Sequence, residues 1–188
     1  MMASQALIGF MKVKILPQLD FLVKAPRSEW IRAAAVIAAI GLFGLMFNTR
    51  FGIFLDVAET RCLPERVYVG YPRTTNLDRG DIVSFRAHNR MMFDLMTGNR
   101  IAKIIAGVPG DHVISNKDGA FVNGVMVGER NPTTLKNLAA KGKTPIDMDR
   151  VLQPGELFVV GTLPRSFDSR YWGVLPEASV DRLVKALF

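Results

Sequence analysis

Hydrophobic and polar positions divide the chain into one long apolar stretch near its beginning and a larger region of short alternating runs. From Ala33 to Thr49 the sequence carries no charge, which is close to the lower length limit for a helix that crosses a membrane. Trp30 and Arg32 precede the stretch, as expected of an interfacial ring and a cation that reaches the lipid headgroups. The pattern predicts one transmembrane signal anchor within residues 31–50.

Two other interpretations of the apolar stretch stay open, a buried core helix and a cleavable signal sequence, because both can have this length. Basic residues outnumber acidic ones around residues 1–30, so the positive-inside rule places this segment in the cytoplasm. Residues 51–188 are then expected to be extracytoplasmic, and periplasmic if the cell is Gram-negative. The predicted location is the inner (cytoplasmic) membrane, crossed once.

Beyond residue 55 the period of the apolar positions shortens to that of strands, with turn residues between the runs, which predicts a mainly β, antiparallel domain. Asn123-Gly124 predicts a two-residue hairpin, because both central positions of that turn need positive φ. The predicted strands are Val67–Val69, Asp81–Arg86, Arg100–Val108, His112–Ser115, Ala120–Val127 and Leu157–Leu163.

Two segments do not fit the strand pattern. Residues 129–150 are polar and have no clear period, which indicates an excursion from the sheet or a mobile flap. From Pro176 to Phe188 the apolar residues recur at roughly helical spacing, which predicts a short C-terminal helix.

Composition limits the classes of function. The net charge is +7, but the basic residues are scattered without a recognition pattern, so anionic lipid is a better expected partner than nucleic acid. Cys62 is the single cysteine, so no intrachain disulfide is possible. His88 and His112 do not have the spacing of metal ligands, and neither a metal nor another cofactor is expected.

Three segments carry candidate chemistry: a lone thiol at Cys62, a lysine among apolar residues at Lys103, and Asp168 in a loop rich in serine and arginine. Together they supply a nucleophile, a base and an orienting group. Burial of an ammonium without a counter-ion disfavours its charged form, so Lys103 could accept a proton near neutral pH. An alternating strand that turns Lys103 to solvent is the open alternative.

These segments resemble the signal peptidase I family of Ser/Lys peptidases, and most closely its conjugative-transfer branch of TraF-type pilin-processing peptidases. Residues 60–64, TRCLP, are similar to the nucleophile box, although Cys62 stands where the family has serine. Residues 103–111, KIIAGVPGD, are similar to the lysine box, and residues 166–173, SFDSRYWG, to the third box.

The resemblance implies curved antiparallel sheets and cleavage of exported precursors after small residues. It implies that Lys103 is the general base, that Thr60 donates to the oxyanion, and that Asp168 helps to hold the lysine region. Residues implied to be structural near the site are Pro64, Gly110, Asp111, Ser166, Ser169 and Arg170.

Several functions remain open at this stage. A working Cys/Lys peptidase would form a thioacyl enzyme, resolved by water or by an amine that yields a cyclic product. Its substrate would be a membrane-anchored prepilin or another exported precursor, and components of a conjugation machine are possible partners. The alternatives are an inactive assembly factor of a conjugation or secretion system, and a natural or engineered variant of a serine enzyme. The membrane segment argues against the related self-cleaving repressors.

Overall fold

The computed structural model describes residues 26–55, 61–73, 76–87, 89, 91–92 and 100–187. Its first element is helix α1 (Arg27–Arg50), which contains the whole uncharged stretch. Glu29 in the first turn and Arg50 in the last turn complement the helix dipole. Residues 27–47 are long and apolar enough to cross a membrane. Their apolar side chains are exposed, Ile37 by 71%, which a buried core helix would not show.

The chain divides into two compact units at Asn48 and Thr49, and the second unit is mainly antiparallel β-sheet, as predicted. Its larger sheet has seven strands in the order β1-β2-β11-β3-β4-β9-β10. These strands are β1 (Gly52–Leu55), β2 (Val67–Pro72), β3 (Ile82–Phe85), β4 (Ile101–Gly107), β9 (Glu156–Val160), β10 (Leu175–Pro176) and β11 (Val180–Ala186).

A smaller sheet has four strands in the order β7-β6-β5-β8. Asn123 and Gly124 have φ of 50° and 79°, so the predicted hairpin between β6 and β7 is confirmed. The strands are β5 (His112–Asn116), β6 (Gly119–Val122), β7 (Val125–Gly128) and β8 (Met148–Val151).

Alternation along the strands gives each sheet its apolar face. In β4 the buried side chains are every second one, beginning with Ile101 and including Ile105. They join a core cluster that also contains Phe85, Tyr171 and Trp172. Helix α3 (Ser169–Trp172) supplies two of the three buried aromatic residues of this cluster, so the segment after β9 is packed into the core.

The predicted C-terminal helix is wrong. Residues 177–179 form a single 3₁₀ turn, and β11 follows and pairs with both β2 and β3. Val180, Leu183 and Val184 are buried on the sheet. The spacing of Val180 and Leu183 also fits a strand, because the bulge between Val180 and Arg182 shifts the alternation by one residue, while Val184 lies in a separate core cluster.

The polar segment 129–150 has regular structure that its sequence did not predict. It contains helix α2 (Pro132–Ala140) and most of β8. Asn131 caps α2 by accepting from the N–H groups of Thr133 and Thr134, and a proline follows at the first helical position. Leu138 is buried in the main core cluster, which fixes α2 to the domain.

Candidate active site

Lys103 lies in the middle of β4 and its side chain points into the domain. The residue is 0% exposed and shares the buried face of the strand with Ile101 and Ile105. Among the described residues its Nζ has no hydrogen-bond partner. The solvent-facing alternative is therefore wrong, and the amine lies in the interior of the domain.

Cys62 lies in the loop before β2, and its thiol is free and half-buried. The Cys62 carbonyl accepts a hydrogen bond of 3.2 Å from the N–H of Leu163. This bond joins the loop that carries the thiol to the loop that follows β9.

Gly161 lies next to both Cys62 and Lys103. Strands β4 and β9 pair Ile104 with Val160, so the antiparallel register sets Gly161 next to Lys103. A Cβ at position 161 would stand 2.5 Å from the carbonyl oxygen of Cys62 and in collision with Ser166 Oγ. Only glycine leaves room here, and its small size brings the thiol-bearing loop beside the strand of the buried amine.

Asp168 is fully buried and collects hydrogen bonds from the loop around it. Its Oδ2 accepts from Ser166 Oγ at 2.7 Å and from the N–H of Gly161 at 2.9 Å. Arg170 donates to both carboxylate oxygens, at 2.7 and 2.6 Å. Since Arg170 already balances the charge of Asp168, this carboxylate organises the loop and is not needed as a counter-ion for Lys103.

Arg170 is buried with Asp168 and is itself held from several sides. Burial alone would lower the pKa of its guanidinium, but the hydrogen bonds and charge of Asp168 outweigh that effect and raise the pKa. Tyr171 and Cys62 lie close enough to contribute to the same shift. Its Nη1 also donates to the carbonyl oxygen of Glu129 at 2.7 Å.

The remaining predicted residues that the structure describes lie in three places: α3, the turn between β4 and β5, and the loop before β2. Ser169 Oγ is buried and accepts from the N–H of Val159, which attaches α3 to β9. Gly110, with φ of 92°, forms the turn between β4 and β5. Asp111 in that turn is hydrogen-bonded to Arg79. Pro64 is exposed, and its carbonyl accepts from Arg61. Thr60 lies outside the described residues.

Sequence reasoning missed three residues that shape this site: Gly161, Gly128 and Arg130. The two glycines are needed for close approach, and nothing in their neighbours signals that need. Arg130 lies in the segment interpreted as an excursion from the sheet or a mobile flap, and its side chain is only 5% exposed. The Asn131-Pro132 pair immediately after it, typical of a helix start, was the one available indication that the segment is ordered.

Chemically, the described residues combine a free thiol with a buried amine, and a separate, charge-balanced Asp168–Arg170 pair supports the loop beside them. A nucleophile and a proton acceptor are the minimum for acyl transfer.

Comparison with known proteins identifies a family of peptidases. The family model described as signal peptidase, peptidase S26, matches residues 27–188. A probable signal peptidase I-2 from a Synechocystis species is 27% identical over 160 residues, which are 81% of this chain and 70% of that protein. The crystal structure of a signal peptidase I from Enterococcus faecalis is 28% identical, covering 59% of this chain and 98% of that one, with a TM-score of 0.37.

Proposed function

Because the chain belongs to the signal peptidase S26 family, a family of peptidases, we propose that it is a membrane-anchored endopeptidase that cleaves exported precursors with a Cys62/Lys103 dyad. The family implies exported protein substrates and a membrane. The nucleophile, the base and the choice of precursor are the proposed parts.

The buried Nζ of Lys103 is the observation that carries the proposal. An ammonium at this position would be a buried charge without a partner among the described residues, a situation that proteins avoid. Asp168 does not relieve it, because its oxygens are taken by Arg170, Ser166 and a backbone N–H. A lysine with a free lone pair is the form that accepts a proton from a nucleophile.

In the proposed reaction Cys62 attacks the scissile carbonyl and Lys103 takes the thiol proton. The backbone N–H of Cys62 and the hydroxyl of Thr60 receive the developing oxyanion. Lys103 then gives the proton to the leaving amine, and a thioacyl enzyme remains. Water, or the amino terminus of a substrate, resolves the thioester, which gives a hydrolysed or a cyclic product respectively.

A prepilin of a conjugation system is the proposed substrate, because the three boxes resemble the TraF-type branch. Such a precursor would present an extended segment to a sheet edge, with small side chains at the cut. Helix α1 would hold the enzyme in the inner membrane with residues 1–30 in the cytoplasm and the β-domain outside, as the charge distribution favours.

The alternative function follows from the cysteine at position 62, where the family pattern has serine. Sulfur is larger and forms longer bonds, so a site built for oxygen can misplace the attack. An inactive relative would then serve as an assembly factor of a conjugation or secretion system, with Cys62 as a small, half-buried apolar residue.

Alkylation of Cys62 tests the dyad without a known substrate. The full chain in detergent micelles is treated with iodoacetamide at several pH values, and labelling is followed by intact mass. We expect rapid labelling near neutral pH, and at least about tenfold slower labelling in Lys103→Met, since the thiol loses the base that takes its proton. Methionine suits an apolar site, so the variant should fold.

Lys185→Met is the matched control, because Lys185 in β11 is exposed. Equal labelling of wild type, Lys103→Met and Lys185→Met would contradict the dyad and favour the assembly factor. In cells, accumulation of uncut precursor with Cys62→Ala and renewed cutting with Cys62→Ser would support the peptidase.

A further inference from the structure

The segment around Arg130 forms a brace across α3, the turn that contains Arg170. We define the brace as residues 128–131 together with 146–147. It begins where β7 ends, at Gly128, whose φ is 154°. A Cβ on Gly128 would stand 2.7 Å from Nη1 of Arg170, so the backbone passes directly over the guanidinium.

Arg130 is the most highly connected side chain of the brace. Its Nε donates to the carbonyl oxygen of Arg170 at 2.7 Å. Its Nη2 donates to Ser115 Oγ and to the carbonyl oxygen of Ile146, at 3.2 and 2.9 Å. Its Nη1 pairs with Asp147 at 2.6 Å. One guanidinium therefore joins both ends of the brace to the turn and to β5.

Backbone hydrogen bonds reinforce these contacts. The N–H of Asn131 donates to Tyr171 Oη at 2.7 Å, and the N–H of Ile146 donates to the Tyr171 carbonyl at 2.8 Å. Arg170 returns a bond to the carbonyl of Glu129. The turn is thus held between the two ends of the segment that also carries α2.

The same turn orders the groups beside the proposed dyad. Asp168 caps α3 and accepts from Ser166 Oγ and from the N–H of Gly161, the residue between Cys62 and Lys103. A displacement of the turn would therefore move Gly161 and Ser166 relative to the thiol and the amine. Errors of about 1 Å in such groups can cost about a hundredfold in rate.

We propose that Arg130 is a positioning residue of the peptidase, which fixes the turn of Asp168 and Arg170 and thereby holds Cys62 and Lys103 in their reactive arrangement. The inference rests on the proposed dyad. It assigns the brace the role of a fixed support. It also makes the reactivity of Cys62 depend on Arg130, a side chain that is not proposed to touch the substrate.

The test compares iodoacetamide labelling of Cys62 in Arg130→Met, Arg130→Lys and wild type, as full chains in detergent micelles across a range of pH. Arg130→Met should label about tenfold or more slowly near neutral pH, and its rate profile should move to higher pH, toward that of an unassisted thiol. Arg130→Lys keeps the positive charge but not the several N–H donors of the guanidinium, so its labelling rate should lie between those of Arg130→Met and wild type. Methylguanidinium added to Arg130→Ala should restore labelling.

Arg150→Met is the matched control. Arg150 forms a two-pronged pair with Glu156, at 2.7 and 2.9 Å, and has no described bond to the turn. Its loss should lower stability without moving the pH profile. The same profile in the Arg130 and Arg150 variants, with no rescue by methylguanidinium, would overturn the inference. If Arg130→Met does not fold, the labelling profile of Arg130→Lys and the rescue of Arg130→Ala by methylguanidinium test the inference instead.

Lys103→Met separates this result from a failure of the dyad. If Lys103→Met labels as wild type does, the proposed function is wrong and the role of Arg130 falls with it. If Lys103→Met is slow while Arg130→Met follows the wild-type profile, the dyad stands and only the positioning role is refuted.

Discussion

At the scale of single residues, the site depends on position 161 having no side chain. Gly161 has no side chain, and the space is taken by the carbonyl of Cys62 and the hydroxyl of Ser166. Its N–H is simultaneously used by Asp168. Both the N–H of Gly161 and the space beside its Cα are therefore occupied. Any side chain at position 161 would displace the loop of Cys62 or that of Ser166.

Gly161→Ala is expected to impair both reactivity and stability. Forcing one methyl group into this packed region should cost about 1–3 kcal/mol of unfolding free energy, because the Cys62 and Ser166 loops must move. Thermal unfolding in detergent and the labelling rate of Cys62 measure the two effects. Gly44→Ala in α1 is the control, since nothing lies within 4 Å of its added Cβ. An unchanged melting temperature and rate in Gly161→Ala would contradict the proposed packing.

Candidate residues with reactive or charged side chains could be proposed from the sequence. Residues whose importance depends on their close packing against distant segments could not. The order of the three boxes drew attention to Cys62, Lys103 and Asp168, and the last two are buried. The burial of Lys103 itself could not be predicted, because an alternating strand has two faces and its sequence alone did not show which one faces the core. Arg130 and Gly161 acquire their importance only from segments that are distant in sequence.

At the scale of elements, a strand pair with a turn signal was predictable, whereas strand β11 and helix α2 were not. The hairpin of β6 and β7 follows from Asn123-Gly124. Strand β11 was misread as a helix because its bulge breaks the two-residue alternation. Helix α2 was missed because only Leu138 is buried along it, so its sequence has almost no apolar period.

The turn between β4 and β5 provides a test of pH dependence. Burial would raise the pKa of Asp111, but hydrogen bonds from the Val108 N–H, Asn123 and Arg79 outweigh it and lower the pKa below its ordinary 3.8. A carboxylate with a lowered folded-state pKa stabilises the fold above the unfolded-state value. That contribution is lost as the pH falls through the lower, folded-state value.

Asp111→Asn should therefore destabilise the protein at neutral pH by about 1–3 kcal/mol and by progressively less below about pH 3.8. Melting temperatures of the detergent-solubilised chain across this range measure the effect. Asp118→Asn, in the exposed turn before β6, is the control and should change little at any pH. A constant difference between Asp111→Asn and wild type from neutral to acidic pH would contradict the assignment.

At the scale of the whole molecule, α1 is the proposed membrane anchor. Its apolar side chains are exposed over the length of a membrane span, which a protein surrounded only by water would not favour. The proposed anchor and the proposed active site therefore belong to separate compact units of the chain.

Ile40→Arg places a cation near the middle of α1 and should oppose membrane insertion by about 3 kcal/mol. The fraction of protein that stays in the membrane pellet after alkaline carbonate extraction measures this. Ile40→Leu, which keeps the apolar character, should remain in the pellet. Full retention of Ile40→Arg in the pellet would contradict a spanning role for α1.

The position of β11 has a consequence for how the chain reaches its folded state. Strands β2 and β3 are close in sequence but do not pair, because β11 lies between them, with Leu183 opposite both Tyr71 and Val83. A partly synthesised chain thus holds two strand edges with unpaired backbone groups until residues 180–186 emerge. The seven-stranded sheet can therefore be completed only after β11 has been synthesised, which makes its assembly a late step in the folding of this unit.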